Sequence, residues 1–267
     1  MQKGDFFNCK TVWITGASSG IGEATALALI EQGATVIASA PLMEELEISK
    51  AKASFPDKFV CVPLDLSQPD SIDMVATEVL HKYNKIDILI NNAGISQRSK
   101  VLETPIINYR KIMEIDYFGT VILTKSVLPK MITQGGGHIL CTSSMVGLFG
   151  FPLRSAYSAA KHALHGFFES LRIEYYHSNI KVGIIVGGRI QSAISLNALT
   201  GDGSPYGLMD KGQQNGISTQ IAAKQILRGI QNDKQEILVG GKELILIYLK
   251  RWFPLFHFKI AKKINPT

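Results

Sequence analysis

Tyr157 is the only one of eight tyrosines followed four residues later by a lysine, Lys161. That spacing puts the phenol and the ammonium on one face of a helix. Oxidising an alcohol requires a base, and reducing a carbonyl requires a proton donor. A phenol at its ordinary pKa of about 10 serves poorly near neutrality, but a neighbouring ammonium favours the phenolate and brings it into range. A Tyr-x-x-x-Lys pair more often just decorates a helix surface, so its chemistry depends on what is brought to it. Ser143 and Ser144 stand upstream. Ser143 is no acyl-transfer nucleophile, because the Gly-x-Ser-x-Gly elbow is missing. His162 and His165 flank Lys161 without the Asp or Cys spacing of a triad or a metal site, and read as structural.

A second chemistry-bearing run is Thr15-Gly16-Ala17-Ser18-Ser19-Gly20-Ile21-Gly22. It follows an apolar strand pattern and opens an amphipathic helix. Glycines there permit a tight turn, close approach of a pyrophosphate to the backbone, and close helix–strand packing. The helix N-terminus adds unpaired N–H groups and a positive dipole end.

The elements that must hold these residues follow from hydrophobic patterning. Strands are expected at 10–15, 34–39, 58–62, 86–90, 138–142, 180–186 and 236–239. Helices are expected at 20–32, 42–54, 68–83, 103–133, 155–177 and 219–231. Strands apolar on both faces and joined by helices require a parallel sheet covered on each side. The fold class is therefore α/β, a doubly wound, Rossmann-like parallel sheet whose ligand lies beyond the carboxyl ends of the strands. One domain over 1–241, with a C-terminal tail at 242–267, suits the length.

Placed in this order, the motifs resemble those of the short-chain dehydrogenase/reductase family from about Lys10 to Val239. Gly16-xxx-Gly20-x-Gly22 resembles its cofactor fingerprint, and Asn91-Asn92-Ala93-Gly94 its second signature. Asp65, in Leu64-Asp65-Leu66, matches its adenine-contacting aspartate. The resemblance implies a nicotinamide cofactor held by Gly16, Ser18, Ser19, Gly20, Ile21, Gly22, Asp65, Leu66, Asn92, Ala93, Gly94, Tyr157, Lys161, Gly188, Ile190 and Ser192. It implies Tyr157 as general acid/base and Lys161 as the group that lowers its pKa and bonds the nicotinamide ribose. Ser144, thirteen residues before Tyr157, would orient the substrate oxygen, with Ser143 the less favoured by spacing. Ala38-Ser39-Ala40-Pro41 ends the second strand without the acid an NAD enzyme uses there, yet Pro41 stands where NADP-using relatives carry arginine. Serines 18, 19 and 39 are available to a phosphate, so the reading leans to NADP(H), with NAD(H) the alternative.

Two departures bear on activity. Asp116, in Ile115-Asp116-Tyr117-Phe118-Gly119, stands where the family has an asparagine that bends the helix and holds a water in the proton relay. An aspartate accepts the same hydrogen bonds but cannot donate. Beside Lys161, its charge is expected to raise the lysine pKa and make the Tyr157 phenolate harder to form. Gly187-Gly188 replaces Pro-Gly, which is expected to loosen that loop.

Residues 189–216 fall where the family places a substrate lid. Met145, Val146, Phe149, Phe151, Leu153, Leu196, Leu199 and Met209 are expected to wall a lipophilic carbonyl or alcohol substrate. The resemblance implies a homodimer or homotetramer built through 103–133 and 155–177. Of the net charge of +6, six bases against Glu243 place +5 after residue 241, so the body has no basic groove for nucleic acid. The tail mixes Trp252, Phe253, Phe256 and Phe258 with lysines and breaks at Pro254. Lipid-surface contact and simple docking on the domain both fit it. Cys9, Cys61 and Cys141 lack metal-ligand spacing and read as reduced, buried thiols. Residues 1–10 lack a signal-peptide run, so a cytoplasmic protein, with or without peripheral membrane contact, is expected. The alternative to an enzyme is a nucleotide-binding regulatory or membrane-surface protein on the same fold, weakened by Asp116.

Overall fold

Val12 and Ile14 of β1 (Thr11–Thr15) bury on one face of a sheet and Trp13 on the other. Ile88 and Ile90 against Leu89 repeat the pattern in β4 (Ile88–Asn91). Burial on both faces is what helices on each side of a parallel sheet demand. The computed structural model describes residues 6–263; the ends of the expected domain and tail, 1–5 and 264–267, lie outside the described residues.

In chain order the elements are β1, α1 (Gly20–Glu31), β2 (Thr35–Ala40), α2 (Met43–Lys50), β3 (Phe59–Pro63), α3 (Pro69–Lys82) and β4. These are followed by α4 (Ile106–Met113), α5 (Gly119–Thr133), β5 (Gly137–Ser144), α6 (Ser155–Glu174) and β6 (Ile180–Gly187). The last are α7 (Lys211–Gln214), α8 (Thr219–Gln231), β7 (Glu236–Val239), α9 (Ile245–Trp252) and α10 (Pro254–Ala261). All seven strands pair in parallel, in the order β3-β2-β1-β4-β5-β6-β7. One core layer joins Ala26, Leu29 and Ile30 of α1 to Ala222, Ile226 and Ile230 of α8. The other joins Ile72 and Val79 of α3, Leu123 and Val127 of α5, and Leu164 and Phe168 of α6. The expected doubly wound sheet is the observed one. The strand order reverses between β1 and β4, which opens a crevice at their carboxyl ends, the usual ligand position in such sheets.

Local differences from the expected elements have identifiable causes. The expected helix over 103–133 is divided into α4, a π-helical turn at Glu114–Phe118, and α5. The wide turn surrounds Asp116, whose carboxylate leaves the helix to accept from the Ile95 N–H at 2.8 Å. The helix expected over 155–177 stops at Glu174; a short 3₁₀ turn follows, and Asn179 in the left-handed region (φ 54°) turns the chain into β6. Of the cysteines expected to be buried, only Cys141 is. Cys61 is half-buried, and Cys9 is exposed in the turn before β1.

Candidate active site

The glycine loop binds tightly to its own surroundings. Gly16 takes φ 66°, and a Cβ there would lie 2.8 Å from the Ala93 Cα; a Cβ on Gly22 would overlap the Gly16 carbonyl. Both positions therefore exclude side chains, and α1 is drawn close beneath the loop. Ser19 is the N-cap of α1 but gives no side-chain cap, so the first-turn amides have no hydroxyl partner. Gly20 and Ile21 of that turn line a cleft of about 420 Å³. Uncapped amides and a positive dipole end facing a cleft suit a pyrophosphate.

Across the switch point, Asn92 ties the cleft floor together. Its Nδ2 donates to the carbonyls of Thr15 (3.1 Å) and Gly16 (3.3 Å), and its Oδ1 accepts from the Thr142 hydroxyl (3.2 Å). The Asn92 amide group is thus committed to holding the carboxyl ends of β1, β4 and β5 together. Ala93 and Gly94 follow on the cleft wall, which Asp65, Leu66, Gly188, Ile190 and Ser192 also line.

Tyr157 and Lys161 sit one turn apart on α6, with the ammonium 5.5 Å from the phenol ring centroid. Both are buried yet line the cleft. The Lys161 ammonium donates to the Thr142 carbonyl at 3.0 Å and lies 3.2 Å from Asp116 Oδ2. Ser144 contacts Tyr157 and favours its phenolate, while its hydroxyl donates to the Gly187 carbonyl at 3.3 Å. The Ser143 hydroxyl instead faces the Lys161 carbonyl and His165 Nε2, 3.0 Å away. Of the two serines, Ser144 is the one in contact with Tyr157.

Burial holds the Tyr157 phenol above its ordinary pKa. Lys161, Arg98 and Ser144 pull it down, and Asp116 pushes it further up. Burial works against the charge of Lys161, but Asp116 and the phenol outweigh it and raise the lysine pKa. Burial also raises the Asp116 carboxyl, against the pull of Lys161 and the Ile95 N–H. The charge of Asp116 therefore stabilises the ammonium and opposes the phenolate, as its sequence position implies.

The remaining expectations divide. Of the proposed apolar wall, Met145, Val146 and Phe151 line the cleft; Ile95, Ile190, Ile194 and Leu246 complete it. Phe149 is buried against His257 at 4.6 Å between ring centroids, Leu199 packs with Ile112, Ala156 and Ala160, and Leu153, Leu196 and Met209 are not on the wall. The loop after β6 with its glycine pair is held by two hydrogen bonds. The Gly188 N–H donates to the Val239 carbonyl at 2.7 Å, and Glu243 accepts from the Arg189 N–H at 2.7 Å. Ser39 is unavailable to a phosphate, because its hydroxyl accepts from Trp13 Nε1 at 2.9 Å in the core. The Ser18 hydroxyl donates to Glu45 on α2 at 2.9 Å.

Sequence reasoning passed over a buried charge cluster at the substrate end. Arg98 Nη2 and Arg154 Nη2 lie 2.6 and 2.7 Å from one oxygen of Asp210, which stands on segment 189–216. All three line the cleft. Arg98 and Asp210 are 112 residues apart, so the available signals were indirect: an arginine three residues before Tyr157, and one of two acids, Asp202 and Asp210, in segment 189–216.

A model of the short chain dehydrogenase family matches residues 10–201. The chain belongs to the short-chain dehydrogenase/reductase family. A Drosophila melanogaster relative, Dehydrogenase/reductase SDR family protein 7-like, is 42% identical over 262 residues, covering 95% of this chain and 80% of that protein. Two solved short-chain dehydrogenases share the fold. One from Burkholderia cenocepacia, in complex with NADP, has a TM-score of 0.78 at 23% identity and covers 97% of this chain and 99% of its own. One from Burkholderia phymatum, in complex with NAD, has a TM-score of 0.80 at 21% identity, with coverages of 98% and 97%. This family member is a nicotinamide-dependent oxidoreductase by class, and among its described residues no helix is long and apolar enough to cross a membrane.

Proposed function

We propose that this dehydrogenase/reductase reduces a lipophilic carbonyl compound to its alcohol, with Tyr157 as the proton donor. The observation that supports this reading is the convergence of Ser144, Tyr157 and Lys161 on the cleft that the glycine loop enters. When bound, the nicotinamide supplies the hydride. Gly20 and Ile21 would offer amides to its pyrophosphate, and Asp65 and Leu66 would hold its adenine. Lys161 holds a positive charge beside the Tyr157 ring and would bond the ribose. Ser144 positions the substrate oxygen beside the phenol, and Tyr157 donates its proton to that oxygen as the alcohol forms. Burial and the Asp116 charge favour the protonated phenol, the form that donates a proton to a carbonyl oxygen. Met145, Val146, Phe151 and Leu246 supply the apolar wall against which a lipophilic substrate would lie.

The lean to NADP(H) now rests on Ser19, since Ser39 is committed to the core and Ser18 to Glu45. A carboxylate at Glu45, bonded to Ser18, would repel a 2′-phosphate and could accept from a 2′-hydroxyl, which supports NAD(H) as the second reading. Glu45→Gln should improve NADPH affinity relative to NADH by about fivefold, as expected for removing one like charge a few ångströms away in water. Parallel calorimetric titrations of both cofactors measure the ratio, and an unchanged ratio removes Glu45 from cofactor selection.

A homo-oligomer is proposed on the α4 and α6 faces, where Ile106, Ile107 and Ile173 are exposed. Reductive activity is tested by a screen of lipophilic ketones and aldehydes with the preferred cofactor, run on wild type and Asp116→Asn. Removing the Asp116 charge should lower the Tyr157 pKa, moving the alkaline limb of the reduction profile down by about one pH unit. Cofactor binding with no turnover in either protein would favour the regulatory alternative. Turnover only in Asp116→Asn would mark a weakened enzyme.

A further inference from the structure

The tail after β7 folds into two short helices that are anchored on one side and bare on the other. On the anchored side, Leu246 of α9 lines the cleft and His257 of α10 is buried against Phe149. Glu243 fixes the start of the tail to the Arg189 N–H. On the bare side, Ile245, Tyr248 and Trp252 recur at i, i+3 and i+7, one stripe of α9, and are 61%, 53% and 70% exposed. Beyond the break, Phe253, Leu255, Phe256 and Phe258 are all more than half exposed. Lys250, Arg251, Lys259, Lys262 and Lys263 are exposed among them, and Lys262 sits over the Phe258 ring at 5.1 Å.

Exposed aromatic and aliphatic groups in this density need an occupant. A second copy of the chain suits them poorly, because protein interfaces shed lysine from their cores and this surface interleaves five cations with the rings. An anionic bilayer suits both halves. Trp and Phe sit at the boundary between headgroups and acyl chains, while Lys and Arg reach lipid phosphates and carboxylates. We propose that α9 and α10 form a monotopic dock for an anionic lipid surface, which sets the Leu246 side of the cleft against the lipid phase. The benefit to catalysis rests on the lipophilic-substrate reading above; the docking itself does not.

Flotation of the full chain with vesicles of phosphatidylserine and phosphatidylcholine, against pure phosphatidylcholine, tests the dock. Trp13 is fully buried and Trp252 exposed, so a blue shift in tryptophan emission on mixing reports the tail. The full chain should float with anionic vesicles, shift its emission and release at high salt. Lys259→Glu/Lys262→Glu should weaken vesicle binding by roughly tenfold or more, and Trp252→Ala/Phe256→Ala should lose it, with cofactor binding intact in both. Cofactor-competent protein that stays with the lipid-free fraction overturns the dock. So do variants that float like wild type, or a concentration-dependent dimer abolished by the tail substitutions without any flotation. Cofactor binding and turnover in the same samples report separately on the enzymatic reading.

Discussion

Tyr157→Phe should lower turnover by roughly 10² to 10⁴, the range for loss of a general acid, while leaving cofactor affinity within a few-fold of wild type. The substitution removes one oxygen from a buried ring that packs beside Lys161 and Ser144. The ring volume is nearly unchanged, so the cleft keeps its shape. Lys161 keeps Asp116 and the Thr142 carbonyl as partners, and the glycine loop is untouched. A fall in turnover without loss of binding separates proton donation from a structural effect. Parallel losses of binding, stability and turnover would instead make Tyr157 a packing residue.

Lys161→Met should destabilise the fold by about 3 to 5 kcal/mol, because it strands a fully buried Asp116 carboxylate. In a chain of this size that corresponds to a drop in Tm of roughly 10 °C. The Ile95 N–H remains as one partner for Asp116, but the other oxygen loses the ammonium at 3.2 Å. Adding Asp116→Asn should restore most of the stability, since the amide removes the uncompensated charge, and should leave the protein inactive. Thermal melts of the two single variants and the double variant form a cycle that measures the coupling. Additive losses would mean that the two side chains do not act as a pair. In a family member with asparagine at this position no such rescue is available, so the result probes what is particular to this chain.

The sheet was legible because each central strand is apolar on both faces, as at Val12-Trp13-Ile14, and because each crossover ends in a recognisable turn. The main site was legible for a similar reason: Gly16, Gly20 and Gly22, then Tyr157 and Lys161, lie close together in sequence and act as local units. What escaped notice is non-local. Arg98 meets Asp210 across 112 residues, and Glu243 of the tail secures the loop at Gly188. Neither contact has a periodic or short-range signature. Ser39 shows a different failure, since its position suggested a ligand contact while strand alternation turned its hydroxyl into the core toward Trp13. Phe149 and Leu199 failed as wall residues because hydrophobicity cannot distinguish a cleft lining from a core. Asp116 was legible as a departure from the family pattern, and its burial in the π-helical turn gives that departure its energetic weight.

Calorimetric titration of NADPH and NADH into the intact protein bears most directly on whether this cleft is a nicotinamide site. One saturable site per chain is expected for at least one of them, and Gly22→Ala should abolish it, because a methyl group there overlaps the Gly16 carbonyl and displaces the loop. A folded protein that takes up neither cofactor would contradict the assignment, as would undiminished binding to Gly22→Ala.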